Sequence, residues 1–94
     1  MDFRWDEEKN KKLTEERHVS FEDVLLAIGD GRLLDVLPHH NPEKYPNQKL
    51  FIVQMQGYVY YVPFVEDANG IFLKNIIPSR KYAKAYAQGG TDEN

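Results

Sequence analysis

The sequence predicts a single α+β domain in which helices pack on one side of an antiparallel sheet of about four to five strands. Helix patterns with capping residues fill the first third of the chain, a run rich in Val, Ile, Tyr and Phe fills the middle, and a short helix pattern closes it. The predicted element order is β-α-α-β-β-β-β-α. The 94 residues suffice for one domain, residues 1–88, followed by a flexible polar tail, residues 89–94.

The N-terminal elements are predicted to be a short strand and two helices. Phe3-Arg4-Trp5 alternates apolar and charged residues, which is typical of a strand. Asp6 is a suitable N-cap for a mostly solvated first helix over Glu7 to Arg17. Ser20-Phe21-Glu22-Asp23 can form a capping box, so it predicts the start of a second, amphipathic helix. Gly29-Asp30-Gly31 ends that helix.

The middle of the chain is predicted to form the sheet. Leu33 to Leu37 is an apolar run with the length of a strand. Lys49 to Met55 and Tyr58 to Val65 are rich in β-forming residues and flank Gln56-Gly57, which predicts a hairpin. A further strand is expected over Ile71 to Ile77.

The prolines constrain what lies between and after these strands. Three prolines in the loop Pro38 to Asn47 exclude a helix there. Pro63 cannot donate a ladder hydrogen bond, so its strand is expected to end, bulge or lie at an edge near it. Pro78 stops the last strand, and Ser79 is the expected N-cap of a final helix over Arg80 to about Ala87.

Composition excludes several classes of function. The chain has no cysteine, which removes disulfides, thiol catalysis and cysteine-bound zinc. No apolar run approaches the ~20 residues needed to span a bilayer, and the N-terminus has no secretory-signal pattern, so a cytoplasmic protein without membrane association is expected. The formal net charge of -3 argues against non-specific nucleic-acid binding, but residues 74–84 concentrate bases without any acid.

The basic segment Pro78-Ser79-Arg80-Lys81 is the predicted functional site. Free amides at a helix N-terminus attract phosphate, whereas bases at that end oppose the helix dipole. Arginine and lysine in this position therefore indicate either an anionic ligand or a salt bridge to the acidic first helix. Lys49, which opens the hairpin, is expected to project to the same end of the sheet.

The three histidines are weaker candidates. His18 lies between two helices, where it can act as a general acid or base or simply close a turn. His39 and His40 are neighbours in an extended loop, so they are expected to point to opposite sides as solvated side chains and not to bind one metal together. Neither a Gly-rich phosphate loop nor a nucleophile elbow is present. We expect no metal and no other cofactor.

Three segments carry a resemblance to a known family. They read Phe3-x-Trp5-Asp6-x-Glu8-Lys9-Asn10, Val19-Ser20-Phe21-Glu22 and Ile77-Pro78-Ser79-Arg80-Lys81. In combination they resemble BrnT-type toxins of bacterial type II toxin–antitoxin systems, and the resemblance spans the chain from Phe3 to Tyr86. It implies a RelE-like ribonuclease fold and metal-independent cleavage of RNA through attack of the 2′-hydroxyl. It also implies a cognate antitoxin with a ribbon-helix-helix domain as partner.

The resemblance also implies residue roles. Arg80 matches the arginine of the family's turn, and Lys49 stands where the family often has an arginine, so both are expected to stabilise the charge on the cleaved phosphate. His18 and Glu16 are the candidate acid–base groups. The residues expected to bind RNA are Lys81, Lys84, Tyr86 and Trp5, the last two by stacking on a base.

An alternative hypothesis is that the protein has the same fold but is a non-catalytic binding module. In the family, Lys-His-Gly usually stands where this chain has Glu16-Arg17-His18. A non-catalytic binding module would use the basic end to hold an acidic partner. Alternatively, the tyrosine-rich hairpin (Tyr58, Tyr60, Tyr61) would form a homodimer or antitoxin interface, or would complete the core.

Overall fold

The computed structural model describes residues 2–87 and confirms the α+β class. In chain order the elements are β1 (Phe3–Arg4), α1 (Glu7–Arg17), α2 (Phe21–Gly29), β2 (Leu33–Pro38), β3 (Lys49–Met55), β4 (Tyr58–Asp67), β5 (Gly70–Leu73), β6 (Ile77–Pro78) and α3 (Arg80–Tyr82). The chain continues from α3 with π-helical geometry over Ala83–Ala87, and residues 80–87 together are called the C-terminal helix below. The predicted tail, residues 89–94, lies outside the described residues.

The sheet has six strands in the order β1-β5-β4-β3-β2, and β6 pairs with β4 alongside β5. Every strand pair is antiparallel except β1 with β5, which is parallel. The predicted sheet of four to five antiparallel strands therefore differs by β1, which joins in parallel, and by β6. The strand predicted from the alternation of Phe3-Arg4-Trp5 is thus present as β1. The two-residue strand β6 was not predicted as a separate element, because it is too short to show a hydrophobic period of its own.

The predicted helix caps are present. The Asp6 carboxylate accepts a hydrogen bond from the Glu8 amide at 2.9 Å. Ser20 and Asp23 form both hydrogen bonds of a capping box, at 3.1 and 3.0 Å. Ser79 caps the C-terminal helix by accepting from the Tyr82 amide at 3.1 Å. These local interactions determine where each helix begins.

Asn10 joins the two N-terminal helices. Its side-chain oxygen accepts a hydrogen bond from the Phe21 amide at 2.7 Å, and its side-chain nitrogen donates to Glu22 at 2.8 Å. The hydrogen bond from Asn10 is the main reason why the pKa of Glu22 lies below its ordinary value. Asn10 is buried, so it satisfies one of the unpaired amides at the start of α2 where water does not reach.

At Pro63 the strand itself neither ends nor bulges, since β4 continues from Tyr58 to Asp67, and the irregularity lies in the neighbouring segment between β5 and β6. Along the edge of β4, three residue steps separate Phe64 from Tyr61, whereas four steps separate their partners Leu73 and Ile77. The Lys74 amide donates to the Pro63 carbonyl at 2.7 Å, but Pro63 has no N–H to return the bond. The predicted strand over Ile71 to Ile77 therefore breaks into β5 and β6.

Helices cover both faces of the sheet, whereas the sequence predicted one side. On the first face, α1 and α2 pack against a large core that includes Phe51, Val53, Val62 and Phe64. On the second face, the C-terminal helix covers a smaller cluster centred on Leu50, Ile52 and Val59. Both sets of alternate residues on β3 and β4 are apolar, so each face requires a cover.

Candidate functional site

The basic turn before the C-terminal helix lies at the surface. The Ser79 amide donates a hydrogen bond to the Val59 carbonyl at 3.1 Å. The Ser79 hydroxyl oxygen accepts a hydrogen bond from the Tyr82 amide. Arg80 and Lys81 are exposed. Within residues 2–87 the one ion pair joins Arg4 to Asp67, so the alternative of a salt bridge to α1 is not formed. The two bases are therefore unneutralised by a carboxylate in the described part of the chain.

Lys49 does not join this turn. It lies opposite Phe64 in the sheet, whereas Pro78, which leads into the turn, lies opposite Tyr60. Four residues of β4 separate these positions, a distance of about 13 Å along the strand. Lys49 instead lines a surface hollow with Phe64, Glu66 and Asp67. The expectation that Lys49 projects to the same end of the sheet as Arg80 is wrong, because the hairpin register separates them.

His18 and Glu16 lie at the exposed end of α1. His18 ends the helix in the left-handed conformation (φ 60°), and its amide donates to the Thr14 carbonyl. Its own carbonyl accepts from the Gln56 side chain at 3.0 Å. These contacts give the His18 backbone the role of closing a turn. The side chain of the preceding residue, Arg17, contacts a distant part of the chain: it donates a hydrogen bond to the Ile76 carbonyl at 2.6 Å.

The two residues expected to stack on RNA bases lie on opposite faces of the sheet. Trp5 packs on the first face, where its ring stacks on Phe21 with centroids 5.6 Å apart, so that ring face is occupied. Its indole nitrogen is buried and finds no hydrogen-bond partner among residues 2–87. Tyr86 lies on the second face and donates its hydroxyl to Asp35 at 2.8 Å. That hydrogen bond is the main cause of a raised Tyr86 pKa.

The hairpin tyrosines also divide between the faces. Tyr60 is buried in the first-face core, whereas Tyr61 packs against the second-face cluster. Tyr58 is exposed and contacts Tyr60 edge-on. Because side chains alternate along β4, these three tyrosines do not form one continuous interface.

Titratable side chains converge instead in a hollow of about 340 Å³ on the second face, which we call the histidine pocket. It is lined by His39, His40, Tyr45, Gln48, Tyr61, Pro63, Lys74, Asn75 and Ile77. The His39 ring lies 4.6 Å from the His40 ring and 4.5 Å from the Tyr45 ring. The His40 ring meets Tyr61 edge-on at 5.3 Å. Residues from the loop, from β4 and from the bulge after β5 therefore share one site.

The loop after β2 is held by its own hydrogen bonds. His39 and Gln48 close its base, Tyr45 donates its amide to the Asn41 carbonyl at 3.0 Å, and the Asn41 amide donates to Nδ1 of His39 at 3.0 Å. His39 is buried at 9% exposure, so it is not the solvated side chain that the sequence predicted. The loop curls back at Asn41, which brings both imidazoles to one side.

The state of His39 follows from these contacts. Burial, reinforced by the neighbouring His40, lowers the pKa of His39 below its ordinary value. Because Nδ1 accepts the Asn41 amide, the neutral ring carries its proton on Nε2. Nε2 is thus the donor that the neutral His39 ring has left, whereas His40 is exposed.

Lys74 and Tyr61 complete the polar wall of the pocket. Lys74 is in the bulge that Pro63 imposes, and its ammonium group lies 5.4 Å from the centroid of the Phe72 ring. Burial and the nearby Tyr82 raise the pKa of Tyr61, and the positive charge of Arg17 acts in the opposite direction. The lining of this hollow thus combines a lysine with two histidines and two tyrosines.

Sequence reasoning missed the histidine pocket. The available signal was the pattern His39-His40 followed by Tyr45 within a proline-constrained loop, directly after a strand. No group of three or more His, Asp or Glu side chains in residues 2–87 is placed to hold a metal ion. The side chains that line the pocket include two histidines, two tyrosines and a lysine, which are able to donate and accept hydrogen bonds.

Comparisons with known proteins give no relative: no family model matches the chain, and neither a curated protein nor a solved structure matches it. Among the described residues, no helix combines the length and the apolar character that crossing a membrane requires.

Proposed function

We propose that this chain is an RNA-cleaving toxin of the kind that its sequence resembles, with the histidine pocket as its active site. The observation that carries the proposal is the convergence of two imidazoles, one buried and one exposed, with a lysine in one hollow. Metal-independent RNA cleavage requires these groups: a base for the 2′-hydroxyl, positive charge at the phosphate and a proton for the leaving oxygen.

Each step can be assigned to a side chain. His40 takes the proton of the 2′-hydroxyl, and the 2′-oxygen forms a bond to phosphorus while the bond from phosphorus to the 5′-oxygen breaks. Lys74 stabilises the negative charge on the phosphorane and gives its proton to the departing 5′-oxygen. His39, fixed by the Asn41 amide, donates its Nε2 hydrogen to a phosphate oxygen and acts as a positioning residue. The products are a 2′,3′-cyclic phosphate and a 5′-hydroxyl.

The basic turn borders this pocket. Ile77 lines the hollow, and Arg80 follows it by three residues. Tyr61 contacts His40 on one side and Tyr82, two residues after Arg80, on the other. In the proposed enzyme, Arg80 and Lys81 contact phosphates next to the one that is cleaved. The proposal thus keeps the arginine that the resemblance assigns and moves proton transfer from His18 and Glu16 to His40 and Lys74.

A specific observation also supports a protein partner. The outermost strand β2 exposes Leu34 and Val36, at 36% and 46%, and Leu26 of α2 is 67% exposed. Edge strands with exposed apolar residues invite pairing with another chain. We propose that an antitoxin covers this edge. In the rival reading, that binding is the protein's whole function.

The test is an in vitro cleavage assay with purified protein, labelled RNA and EDTA. We expect 2′,3′-cyclic phosphate ends, and we expect His40→Ala and Lys74→Met each to reduce the rate about a hundredfold or more. His18→Asn is the matched control for loss of an exposed histidine, since Asn also tolerates the left-handed cap, and should leave the rate within about twofold.

Two outcomes would count against the proposal. Intact RNA with folded wild-type protein would remove the enzymatic function and favour the rival binding module. Cleavage that is retained in His40→Ala but lost in His18→Asn or Arg80→Ala would contradict the histidine pocket as active site. It would support the catalytic residues predicted from the sequence.

A further inference from the structure

The aromatic rings that line the histidine pocket belong to a longer series of ring contacts that continues outside the pocket. Six of them follow one another across the second face, each within 4.5–6.2 Å of the next: Tyr45, His39, His40, Tyr61, Tyr82 and Tyr86. This series, the aromatic track, runs from the loop after β2 to the end of the C-terminal helix. No role in the proposed chemistry requires the part that lies beyond Tyr61.

The geometry of the track leaves ring surface uncovered. Successive contacts are tilted or edge-on, with interplanar angles of 36–86°, so neighbouring rings do not bury one another face to face. His40 is exposed, and Tyr45, Tyr61, Tyr82 and Tyr86 are partly buried, whereas His39 is the one buried ring of the series. A core cluster would instead bury its rings, as Phe51 and Phe64 do on the first face, stacked at 3.9 Å.

Positive charge accompanies the track along its length. The Lys44 ammonium lies 5.5 Å from the Tyr45 ring, and the Lys81 ammonium lies 5.5 Å from the Tyr82 ring. Lys74 lines the pocket between them, and Lys84 is exposed on the C-terminal helix. Of the nearby acids, Asp35 is engaged by the Tyr86 hydroxyl, and Glu43 is exposed in the loop beside Lys44.

We infer that the aromatic track binds single-stranded RNA, with bases stacked on its rings and phosphates contacted by its lysines. Interleaved aromatic and basic side chains suit a single strand because every base has a stacking face, whereas the bases of a duplex are already stacked on each other. The inference rests on the proposed function for the identity of the ligand. It adds that the substrate is single-stranded and extends from the pocket toward Lys84.

The test measures binding separately from cleavage. The probe is a fluorescein-labelled 2′-O-methyl RNA of about 12 nucleotides, which has no free 2′-hydroxyl and cannot be cleaved. Fluorescence anisotropy at constant salt should show binding by the wild-type chain, weakened about tenfold by the double change Lys81→Glu with Lys84→Glu. The matched control is Lys11→Glu with Lys12→Glu, the same charge change at two exposed positions of α1, which should alter affinity less than twofold.

A ring variant tests stacking apart from charge. Tyr82→Leu keeps apolar volume on the second face but removes a stacking surface, and affinity should fall about tenfold while the unfolding midpoint in urea stays close to that of the wild type. If Tyr82→Leu unfolds, Tyr61→Leu provides the same test.

Three outcomes overturn the inference: no binding by the wild-type chain, equal losses in the two lysine pairs, or equal affinity for duplex RNA. Binding with the expected pattern but without cleavage of ordinary RNA would support RNA binding by the aromatic track and contradict the proposed ribonuclease activity. Cleavage that depends on His40 and Lys74 but not on Lys84 or Tyr82 would support the proposed enzyme and contradict the role of the track.

Discussion

At the scale of single residues, His39 shows how burial changes the chemistry of a loop. Its neutral ring accepts the Asn41 amide at Nδ1 and packs between His40 and Tyr45. Protonation would remove that acceptor and would place a charge in a buried position beside a second imidazole. The lowered pKa of His39 is the consequence of this arrangement.

The His39 contacts predict a pH dependence of stability. A histidine with a lowered pKa in the folded state stabilises the fold above its ordinary value of 6.5, and that contribution is lost as pH falls through the folded-state pKa. His39→Asn keeps an acceptor for the Asn41 amide but cannot titrate. Urea denaturation at about pH 7.5 and pH 5 should therefore show a smaller loss of stability in the variant than in the wild type.

His18→Asn is the control for this measurement, because it removes an exposed imidazole from a helix end. Its loss of stability on acidification should parallel that of the wild type. A His39→Asn variant as acid-sensitive as the wild type would show that His39 is not buried in solution.

At the scale of elements, the parallel pairing of β1 with β5 depends on one glycine. Gly70 has φ +122°, and a Cβ at this position would overlap the backbone carbonyl of Asp2. The Ile71 amide donates to that same carbonyl at 2.8 Å. The close approach of the two backbones at the start of the pair therefore requires a residue without a side chain.

We predict that Gly70→Ala destabilises the fold by about 1–3 kcal/mol, because the alanine is strained at positive φ and displaces β1. Trp5, the single tryptophan, directly follows β1, so its fluorescence during urea denaturation reports on the change. Gly29→Ala is the matched control: its added Cβ meets nothing within 4 Å and its φ is not positive. That variant should be neutral or slightly more stable, and equal losses in both variants would contradict the explanation.

At the scale of the whole molecule, the two faces of the sheet differ in cover and in charge. The helices α1 and α2 on the first face carry six acids and four bases, whereas residues 74–84, which lead onto the second face, carry four bases and no acid. The formal net charge of -3 therefore conceals a local excess of positive charge. This distribution is compatible with RNA binding on the second face by an acidic chain.

The C-terminal helix, which covers the second face of the sheet, is predicted to contribute to the free energy of unfolding through Tyr86. Tyr86→Phe removes the hydrogen bond to the Asp35 carboxylate and should cost about 1–2 kcal/mol, measured by urea denaturation. Tyr58→Phe, at an exposed tyrosine of β4, is the control and should change stability by less than about 0.5 kcal/mol. A Tyr86→Phe variant as stable as the control would mean that the C-terminal helix docks without this bond.

The local features of the fold follow from short stretches of the amino-acid sequence. The caps at Asp6, Ser20 and Ser79, the hairpin at Gln56-Gly57 and the irregularity at Pro63 all follow from interactions within a few residues, or from the missing N–H of proline. The structure confirms the three caps and the hairpin. Near Pro63 the irregularity lies in the neighbouring strands β5 and β6 and not in β4 itself. Such features are readable because the residues that cause them are neighbours in the chain.

Contacts between residues far apart in the chain depend on how the strands pair and how the helices pack. The histidine pocket joins the loop after β2, the centre of β4 and the bulge after β5, and strand register separates Lys49 from the basic turn. The helix on the second face is likewise a result of packing. Both faces of β3 and β4 are apolar, and the segment after Ser79 covers the face that α1 and α2 do not. Contacts of this kind depend on pairing between segments far apart in sequence, which leaves no mark in local periodicity.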